Sequence, residues 1–251
     1  MAVRWVTGFL DFPAPVFVAA AGFWRAVTGY QLSPPRGERG QFATLLPPDG
    51  DPCWRVQSVL EGTGGVHLDL HVDDVLADAV RATQLGATVS FVEDGLQVLR
   101  SPGGLGICLS RWDGERQVPQ PVSWPSSLSI RSTRSRADQV CIDIPPALYD
   151  DEVVFCGALT GFQLRHSTLP EFRHVPRRAG QSIRFLLQRL TDPGERVRAH
   201  VDFACDDRKL ESARHESLGA ARVRTADGWT TLRDPAGLEY CITDRNPDTG
   251  R

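Results

Sequence analysis

Most of the first half of the chain recurs, in the same order, in the second half. Residues 67–74 read HLDLHVDD and residues 200–207 read HVDFACDD, at an offset of 133 positions. Residues 99–109 and 232–242 match at the same offset. Two further pairs of blocks keep this order, 23–30 with 155–162 and 85–87 with 218–220. Four matched blocks in one order indicate a tandem duplication.

The chain has 251 residues, which is enough for two domains of ordinary size. We place the first copy at 1–112, the second at 137–251, and a linker at 113–136. The linker is rich in proline and serine and shows neither a helical nor a strand period. Arg131, Arg134 and Arg136 lie close together at its end. They could contact an anion, although a solvated linker is the simpler interpretation.

Composition and charge exclude several classes of function. Apolar residues make up 41% of the chain, and its net charge of −3 offers no field that would recruit nucleic acid. The six cysteines are scattered without a CxxC pair, which indicates small buried side chains in a reducing compartment. Residues 5–24 resemble a signal peptide, but Asp11, Pro13 and Pro15 interrupt them and the pattern returns in mid-chain. We therefore expect a cytoplasmic protein that binds neither nucleic acid nor membrane.

The pattern within each copy predicts an α+β unit. Residues 66–72 alternate like a strand, the aspartates at 73–74 suit a helix N-cap, and Gly86 suits the end of that helix. Three further strands are expected at 87–92, 95–100 and 105–110. Each copy then contains two modules of the order β-α-β-β-β, and the whole chain contains four.

These blocks resemble those of the vicinal oxygen chelate superfamily, which includes glyoxalase I, extradiol dioxygenases and bleomycin-resistance proteins. The resemblance rests on 67–74, on 232–238 (LRDPAGL) and on the helix ends Leu-Thr-Gly and Leu-Gly-Ala. More narrowly, the chain resembles tandem glyoxalase-like proteins, and the resemblance covers nearly the whole chain outside the linker. It implies two glyoxalase-like domains, each an incomplete eight-stranded barrel whose concave sheet binds a small molecule, often with a divalent metal.

The resemblance also implies four metal-ligand positions per copy, usually His or Gln, then Glu, His and Glu. In the first copy they fall at Thr7, Gln57, His67 and Cys108. In the second copy they fall at Gln139, Gln188, His200 and Cys241. The histidines fit the pattern. Cysteine replaces the last glutamate in both copies, however, and neither copy has a carboxylate at the second position.

This loss of carboxylates argues against a tightly held metal. Mg²⁺, Mn²⁺ and Fe²⁺ prefer anionic oxygen ligands, and Zn²⁺ sites normally use three or four strong ligands. Glu239 shares the strand parity of Cys241, so Gln139, His200 and Glu239 are the candidate ligands if a metal does bind. We expect no cofactor, with a divalent metal as the alternative.

Each of the two histidines is followed two residues later by an aspartate, His67 by Asp69 and His200 by Asp202. Side chains at i and i+2 of a strand share a face, so each pair lies on one side of its sheet. Such a pair can make the imidazole a better general base, or it can be a structural hydrogen bond beneath a pocket. These four residues are the candidate catalytic groups.

Several other side chains are candidates for contact with a ligand. Trp229 could form an aromatic wall or simply pack in the core, and Arg233 could bind an anion or hold the following turn. His71 is inward by parity but has no counterpart in the second copy, where Ala204 stands. The full set of candidate ligand-binding residues is Gln57, Gln139, Gln188, Trp229, Arg233, Cys108 and Cys241.

Three functions are consistent with these features. The first is a protein that binds a small organic molecule in its concave sheets without a tightly held metal. The second is an enzyme, a metal-dependent or His-based lyase, isomerase or dioxygenase. The third is a protein in which one copy is a scaffold and the other binds ligand. No nucleotide-binding or hydrolase motif is present, and the oligomeric state is not predicted.

Overall fold

The computed structural model describes residues 3–125, 132–175 and 180–250. The first copy contains eight strands and two α-helices. The strands are β1 Trp5–Pro13, β2 Gln31–Leu32, β3 Phe42–Leu46, β4 Trp54–Val59, β5 Gly65–Val72, β6 Thr88–Glu93, β7 Leu96–Arg100 and β8 Gly106–Arg111. The helices are α1 Phe17–Thr28 and α2 Val75–Gln84.

The second copy repeats this order after one additional strand, β9 Val122–Trp124. Its strands are β10 Thr133–Ile144, β11 Arg165–His166, β12 Phe172–His174, β13 Arg184–Arg189, β14 Arg198–Cys205, β15 Ala221–Thr225, β16 Trp229–Arg233 and β17 Glu239–Thr243. Its helices are α3 Tyr149–Thr160 and α4 Arg208–Ser217.

The two copies form two sheets of the same topology. The first has the order β2-β3-β4-β1-β5-β8-β7-β6, and the second has the order β11-β12-β13-β10-β14-β17-β16-β15, with β9 paired to β10. β5 and β8 run parallel at the middle of the first sheet, as β14 and β17 do in the second. Neither sheet closes on itself, because each order has two edge strands. The expected architecture of tandem α+β units with incomplete barrels is confirmed.

Some short strands could not be predicted from the sequence pattern. β2 and β11 contain two residues each, and β9 contains three. Such strands are too short to show alternation. Arg134 and Arg136, which we expected in a linker, lie in β10, and Arg131 lies outside the described residues. Strand β10 thus begins within the region expected to be a linker, while the exact boundaries at 1–112 and 137–251 stay a prediction.

The helix ends follow the chemistry expected from the sequence. α1 and α3 end at Gly29 and Gly161, with φ of 72° and 66°, a left-handed conformation that glycine adopts without steric cost. At their N-termini, α2 and α4 are capped by the carboxylates of Asp74 and Asp207, which accept hydrogen bonds from backbone N–H groups. These caps fix where each helix leaves its sheet.

The chain divides into two compact units, each built from segments of both copies. The first comprises Met1–Phe9, Val66–Gln117 and Val140–Ala199, and the second comprises Leu10–Gly65, Val118–Gln139 and His200–Arg251. In the first unit, the guanidinium of Arg81 donates to the carbonyl of Leu159 at the end of α3, over 2.6 Å. In the second, Arg214 donates to the carbonyl of Val27 at the end of α1, over 2.7 Å. These arginines satisfy carbonyls that a helix end leaves without partners.

The core of the second unit is aromatic. Trp24 lies with its ring centroid 5.2 Å from Tyr240 and 6.2 Å from Phe203, and all three side chains are fully buried. Its indole Nε1 donates to the buried carboxylate of Asp234 over 2.8 Å. Among the described residues, no helix is long and apolar enough to cross a bilayer.

Candidate functional site

The first unit holds one group of chemically active side chains, which we call the first-copy cluster: Thr7, His67, Asp69, His71 and Cys108. Strand β5 contributes His67, Asp69 and His71, and the alternation of side chains along the strand places all three on one face. Cys108 stands beside Asp69 on the parallel neighbour β8. Nε2 of His67 lies 3.6 Å from Oδ1 of Asp69. One imidazole nitrogen, one carboxylate oxygen and the Cys108 sulfur all lie within 4.8 Å of one another.

Two neighbours orient the ring of His67. The ring of Phe9 stacks on it at a centroid distance of 4.5 Å and an angle of 14°. In addition, Gly106 lets β8 approach closely, because a Cβ at this position would lie only 3.1 Å from the Cβ of His67. A side chain at position 106 would therefore displace the imidazole.

The carboxylate of Asp69 and the hydroxyl of Thr7 have different surroundings. Thr7 Oγ1 lies 2.9 Å from Nε2 of His71, whose Nδ1 lies 3.9 Å from the carboxylate of Glu115. Asp69 is 5% exposed, and its Oδ1 has no hydrogen-bond partner among the described residues. An ionised carboxylate oxygen that is buried in this way is costly unless a cation or a donor meets it.

The second unit holds the equivalent group, the second-copy cluster: Gln139, His200, Asp202, Thr231 and Cys241. Gln139 Nε2 donates to Oδ2 of Asp202 over 2.5 Å, and Oδ1 of Asp202 lies 3.3 Å from Nε2 of His200. Cys241 Sγ lies 3.6 Å from the same imidazole nitrogen and 3.6 Å from Thr231 Oγ1. The side chains therefore form a continuous polar chain from amide to carboxylate, imidazole, thiol and hydroxyl.

This chain keeps Asp202 ionised. Burial by itself raises the pKa of the carboxyl group, but the contact with His200, the positive charge of Arg245 and the hydrogen bond from Gln139 outweigh it. The resulting pKa of Asp202 is below its ordinary value. The carboxylate is thus negative at neutral pH and stabilises a proton on the neighbouring imidazole.

The structure places the other predicted residues as follows. In the first unit, the thiol of Cys141 donates to Oε1 of Gln188 over 3.7 Å. In the second unit, Gln57 faces Phe42 across β3 and β4, and half-buried Trp229 lies opposite Thr243 across β16 and β17. The contribution of these side chains to ligand binding stays a prediction.

Arg233 and Glu239 form a pair of their own. Arg233 Nη2 donates to Glu239 Oε1 over 2.7 Å, and the two side chains are 50% and 47% exposed. Parity had made Glu239 a candidate metal ligand next to His200. Its carboxylate meets an arginine instead, because position 239 faces position 233 directly across β16 and β17.

Sequence reasoning missed Thr231. It lies beside Cys241 only because β16 pairs with β17, and a threonine in a strand carries no signal of its own. At the offset of 133, Thr231 corresponds to Val98, and Val98 lies opposite Cys108 just as Thr231 lies opposite Cys241. A position-by-position comparison of the two copies could therefore have identified Thr231.

The superfamily resemblance implies a divalent metal, and the donor chemistry can be tested against it. In the second-copy cluster Gln139 is not a ligand in this orientation, because it directs its amide nitrogen at Asp202, but His200, Asp202 and Cys241 are donors of the types that hold a metal. The first-copy cluster offers the same donor types. His67, Asp69 and Cys108 supply three strong donors, and one of them is the buried carboxylate oxygen without a hydrogen bond among the described residues. Neither copy has a carboxylate at the second or fourth family ligand position, and the carboxylate of each cluster is the aspartate two residues after its histidine.

Comparison with known proteins agrees with this architecture. The family model of the glyoxalase-like domain matches residues 9–110 and 139–243. No curated protein matches the chain.

Solved structures of the same fold include three oxygenases or related enzymes. A variant of 4-hydroxymandelate synthase from Streptomyces coelicolor is 14% identical, with a TM-score of 0.61 over 99% of this chain and 95% of that one. The 2,2',3-trihydroxybiphenyl 1,2-dioxygenase of Sphingomonas wittichii strain RW1 is 15% identical, with a TM-score of 0.64 over 96% and 90%. A catechol 2,3-dioxygenase is 10% identical, with a TM-score of 0.60 over 100% and 91%.

Identities this low establish a shared fold and leave the activity open. The family match, in contrast, covers most of both sheets, all of the second-copy cluster and all of the first-copy cluster except Thr7. The chain belongs to the glyoxalase-like domain family, within the vicinal oxygen chelate superfamily.

Proposed function

We propose that the protein binds a small organic molecule at the second-copy cluster, and that no tightly held metal takes part there. The observation that carries this proposal is the chain Gln139–Asp202–His200, in which an amide holds a buried carboxylate and the carboxylate holds an imidazole. The side chain of His200 is 17% exposed, while that of Asp202 is 4% exposed. The imidazole is therefore the group that a ligand would meet.

The chemistry of this group suggests the ligand. An imidazole next to an ionised carboxylate accepts a proton readily and then carries a positive charge. Such an imidazole would bind a weakly acidic hydroxyl group, such as that of a phenol, more tightly than an apolar protein surface would bind the same group. The structural neighbours named above are enzymes of hydroxylated aromatic compounds by their names, which makes phenols a reasonable first set of probes.

The test is calorimetric titration of chelator-treated protein with catechol and 4-hydroxybenzoate. We expect saturable binding that the chelator does not abolish, and a loss of at least tenfold in affinity in His200→Ala. His166 is an exposed histidine of β11, so His166→Ala is the matched control and should bind as the unmodified chain does. Failure of both probes to bind, or equal binding by His200→Ala, would refute the proposal.

A second candidate function is proton transfer on a bound substrate, as in a lyase or isomerase. The contact of His200 with the ionised Asp202 favours it, because a carboxylate beside an imidazole can stabilise the imidazolium that forms when the ring accepts a proton. Exchange of a carbon-bound proton of dihydroxyacetone in D₂O, followed by NMR, would detect it. We expect exchange above the buffer rate that is lost in His200→Ala. Exchange at the buffer rate leaves binding as the function.

The two copies need not share one role. Comparing His67→Ala with His200→Ala in the phenol titration separates a protein with two binding sites from one with a single binding copy. If the second copy alone binds ligand, as the second-copy cluster suggests, only His200→Ala changes the affinity and the stoichiometry stays at one.

A further inference from the structure

We infer that Arg224 makes the second-copy cluster selective for ligands that carry a carboxylate as well as a weakly acidic hydroxyl group, such as hydroxylated aromatic acids. This inference rests on the proposed function, because it assigns a further contact to the same ligand. It makes Arg224 a residue that determines specificity and gives it no part in a reaction.

A bulge in the edge strand β15 aims Arg224 at the second-copy cluster. Arg222 lies opposite Leu232 on the neighbouring strand β16. Arg224 lies opposite Thr231, which leaves Val223 as an extra residue in β15. Side chains two residues apart in a regular strand share a face, whereas the adjacent residues of β16 point to opposite faces. The bulge therefore turns Arg224 to the other side of the sheet from Arg222.

The contacts of the two arginines agree with this difference. Arg222 donates from Nε and Nη2 to the two carboxylate oxygens of Glu216, in the last turn of α4, over 2.9 and 2.8 Å. Arg224 donates from Nε to the hydroxyl of Thr231 over 3.3 Å, and that hydroxyl lies 3.6 Å from the sulfur of Cys241. The guanidinium of Arg224 thus extends the polar chain of the second-copy cluster to the edge of the sheet.

The charge of Arg224 is available to a ligand. The neighbouring arginines Arg222 and Arg233 are each paired with a glutamate. In the part of the chain that the structure describes, Arg224 makes one hydrogen bond, from Nε to a neutral hydroxyl, and no ion pair. Its two Nη groups can bind a carboxylate through parallel hydrogen bonds. Because the residue is exposed, a ligand can reach these groups.

The position of Arg224 favours a ligand with two separate polar groups. Nε2 of His200 lies 3.6 Å from the sulfur of Cys241, at the other end of the polar chain. The contacts in between limit the distance from this nitrogen to Nε of Arg224 to at most about 10 Å. A single aromatic ring with a polar group on each side is long enough to contact both. The ionised Asp202 beside His200 disfavours a second negative charge there, so the ligand carboxylate belongs at Arg224.

The first copy has the same strand geometry without this charge. At the offset of 133, Arg224 corresponds to Phe91 and Thr231 corresponds to Val98. Phe91 lies opposite Val98, and the register of its strand also shifts, between Val89 and Phe91. The bulge is thus common to both copies, while both polar side chains are replaced by apolar ones. A ligand carboxylate would find no partner at these two positions of the first copy.

The test compares 4-hydroxybenzoate with 4-hydroxybenzamide, which has the same shape but no charge, by calorimetric titration of the chelator-treated full-length chain. We expect the acid to bind at least tenfold more tightly than the amide, the effect of one hydrogen bond to a charged group. Arg224→Gln should bind the two molecules with similar affinity. Arg222→Gln is the matched control, because it removes the same charge two residues away, and it should keep the preference for the acid.

A second measurement needs no variant. Added sodium chloride should reduce the preference for the acid in the unmodified chain, because salt screens an exposed pair of charges. Near-ultraviolet circular dichroism of both variants shows whether they fold.

Three results would overturn the inference: equal affinity for the two molecules in the unmodified chain, a preference that survives Arg224→Gln, or a preference that is also lost in Arg222→Gln. Binding of neither molecule would overturn it as well. Catechol has no carboxylate, so its titration tests the proposed function separately, and binding of catechol that depends on His200 would leave that function standing.

Discussion

Gln139 donates a hydrogen bond to the carboxylate of Asp202 over 2.5 Å, between the neighbouring strands β10 and β14 of the second sheet. The equivalent residue of the first copy, Thr7, instead lies 2.9 Å from His71. The two sites share one strand arrangement, but the residue on the neighbouring strand contacts the aspartate in the second copy and not in the first. In the second copy the amide therefore holds the carboxylate that contacts His200, the imidazole of the proposed ligand site.

Gln139→Ala removes the only amide in the second-copy cluster. Asp202 is buried, so the loss of a charge-assisted hydrogen bond should lower the free energy of unfolding by about 1–3 kcal/mol at pH 7. The pKa of Asp202 should also rise, because Gln139 stabilises the ionised form. Urea unfolding between pH 3 and pH 7 measures both effects.

The sign of the acid effect follows from the lowered pKa. A carboxyl group whose pKa is depressed by folding stabilises the protein above its unfolded pKa, and this contribution is lost as the pH falls through the folded pKa. In Gln139→Ala the loss should begin at a higher pH than in the unmodified chain. Coincident acid profiles would show that Gln139 does not hold the charge on Asp202.

A buried ion pair on the opposite face of β10 provides a second prediction. Arg245 contacts both carboxylate oxygens of Asp138, at 2.7 and 3.0 Å, and Asp138 is fully buried. Arg245→Met should cost about 3–5 kcal/mol, because it leaves a buried charge without its main partner. The double variant Asp138→Leu, Arg245→Met should recover most of that loss in urea unfolding. Additive losses in the double variant would show that the pair has little coupling.

The buried His215 should make the protein less stable in weak acid. Burial lowers its pKa, and the charge of Arg214 lowers it further, while Glu211 at 3.1 Å acts in the opposite direction. A histidine that folding keeps neutral contributes stability above the unfolded pKa of about 6.5, and this stability is lost as the pH falls. Between pH 7.5 and pH 5.5 the loss should be about 1 kcal/mol.

His215→Gln is the matched variant, because the glutamine amide can still donate to Glu211. It should be less stable than the unmodified chain at pH 7.5 and should lose less stability on going to pH 5.5. Thermal unfolding at the two pH values measures the difference. An equal loss in both proteins would mean that His215 is already charged in the folded state.

The duplication made the fold predictable from the sequence, but the shortest strands could not be predicted from it. The pattern around 67–74 and 200–207 located the central strands, the helix caps at Asp74 and Asp207, and both histidines. The two-residue strands β2 and β11 carry no period that a sequence can show. They exist because neighbouring strands offer them hydrogen bonds.

The site was predictable only in part. The parity rule placed His200 and Asp202 on one face, and the structure brings them within 3.3 Å. The family resemblance gave Gln139 as a candidate for the same site, but neither its hydrogen bond to Asp202 nor the presence of Thr231 could be predicted, because both depend on how the strands pair. Strand parity made Glu239 a candidate metal ligand, but parity does not reveal that Arg233 lies directly opposite it on the neighbouring strand.

The most direct test of the central claim is a crystal structure of chelator-treated protein soaked with catechol. We predict an aromatic ring at the second-copy cluster, with a hydroxyl oxygen within hydrogen-bond distance of Nε2 of His200 and no metal ion between them. Catechol bound through a metal ion at His200, or bound away from His200 altogether, would contradict it.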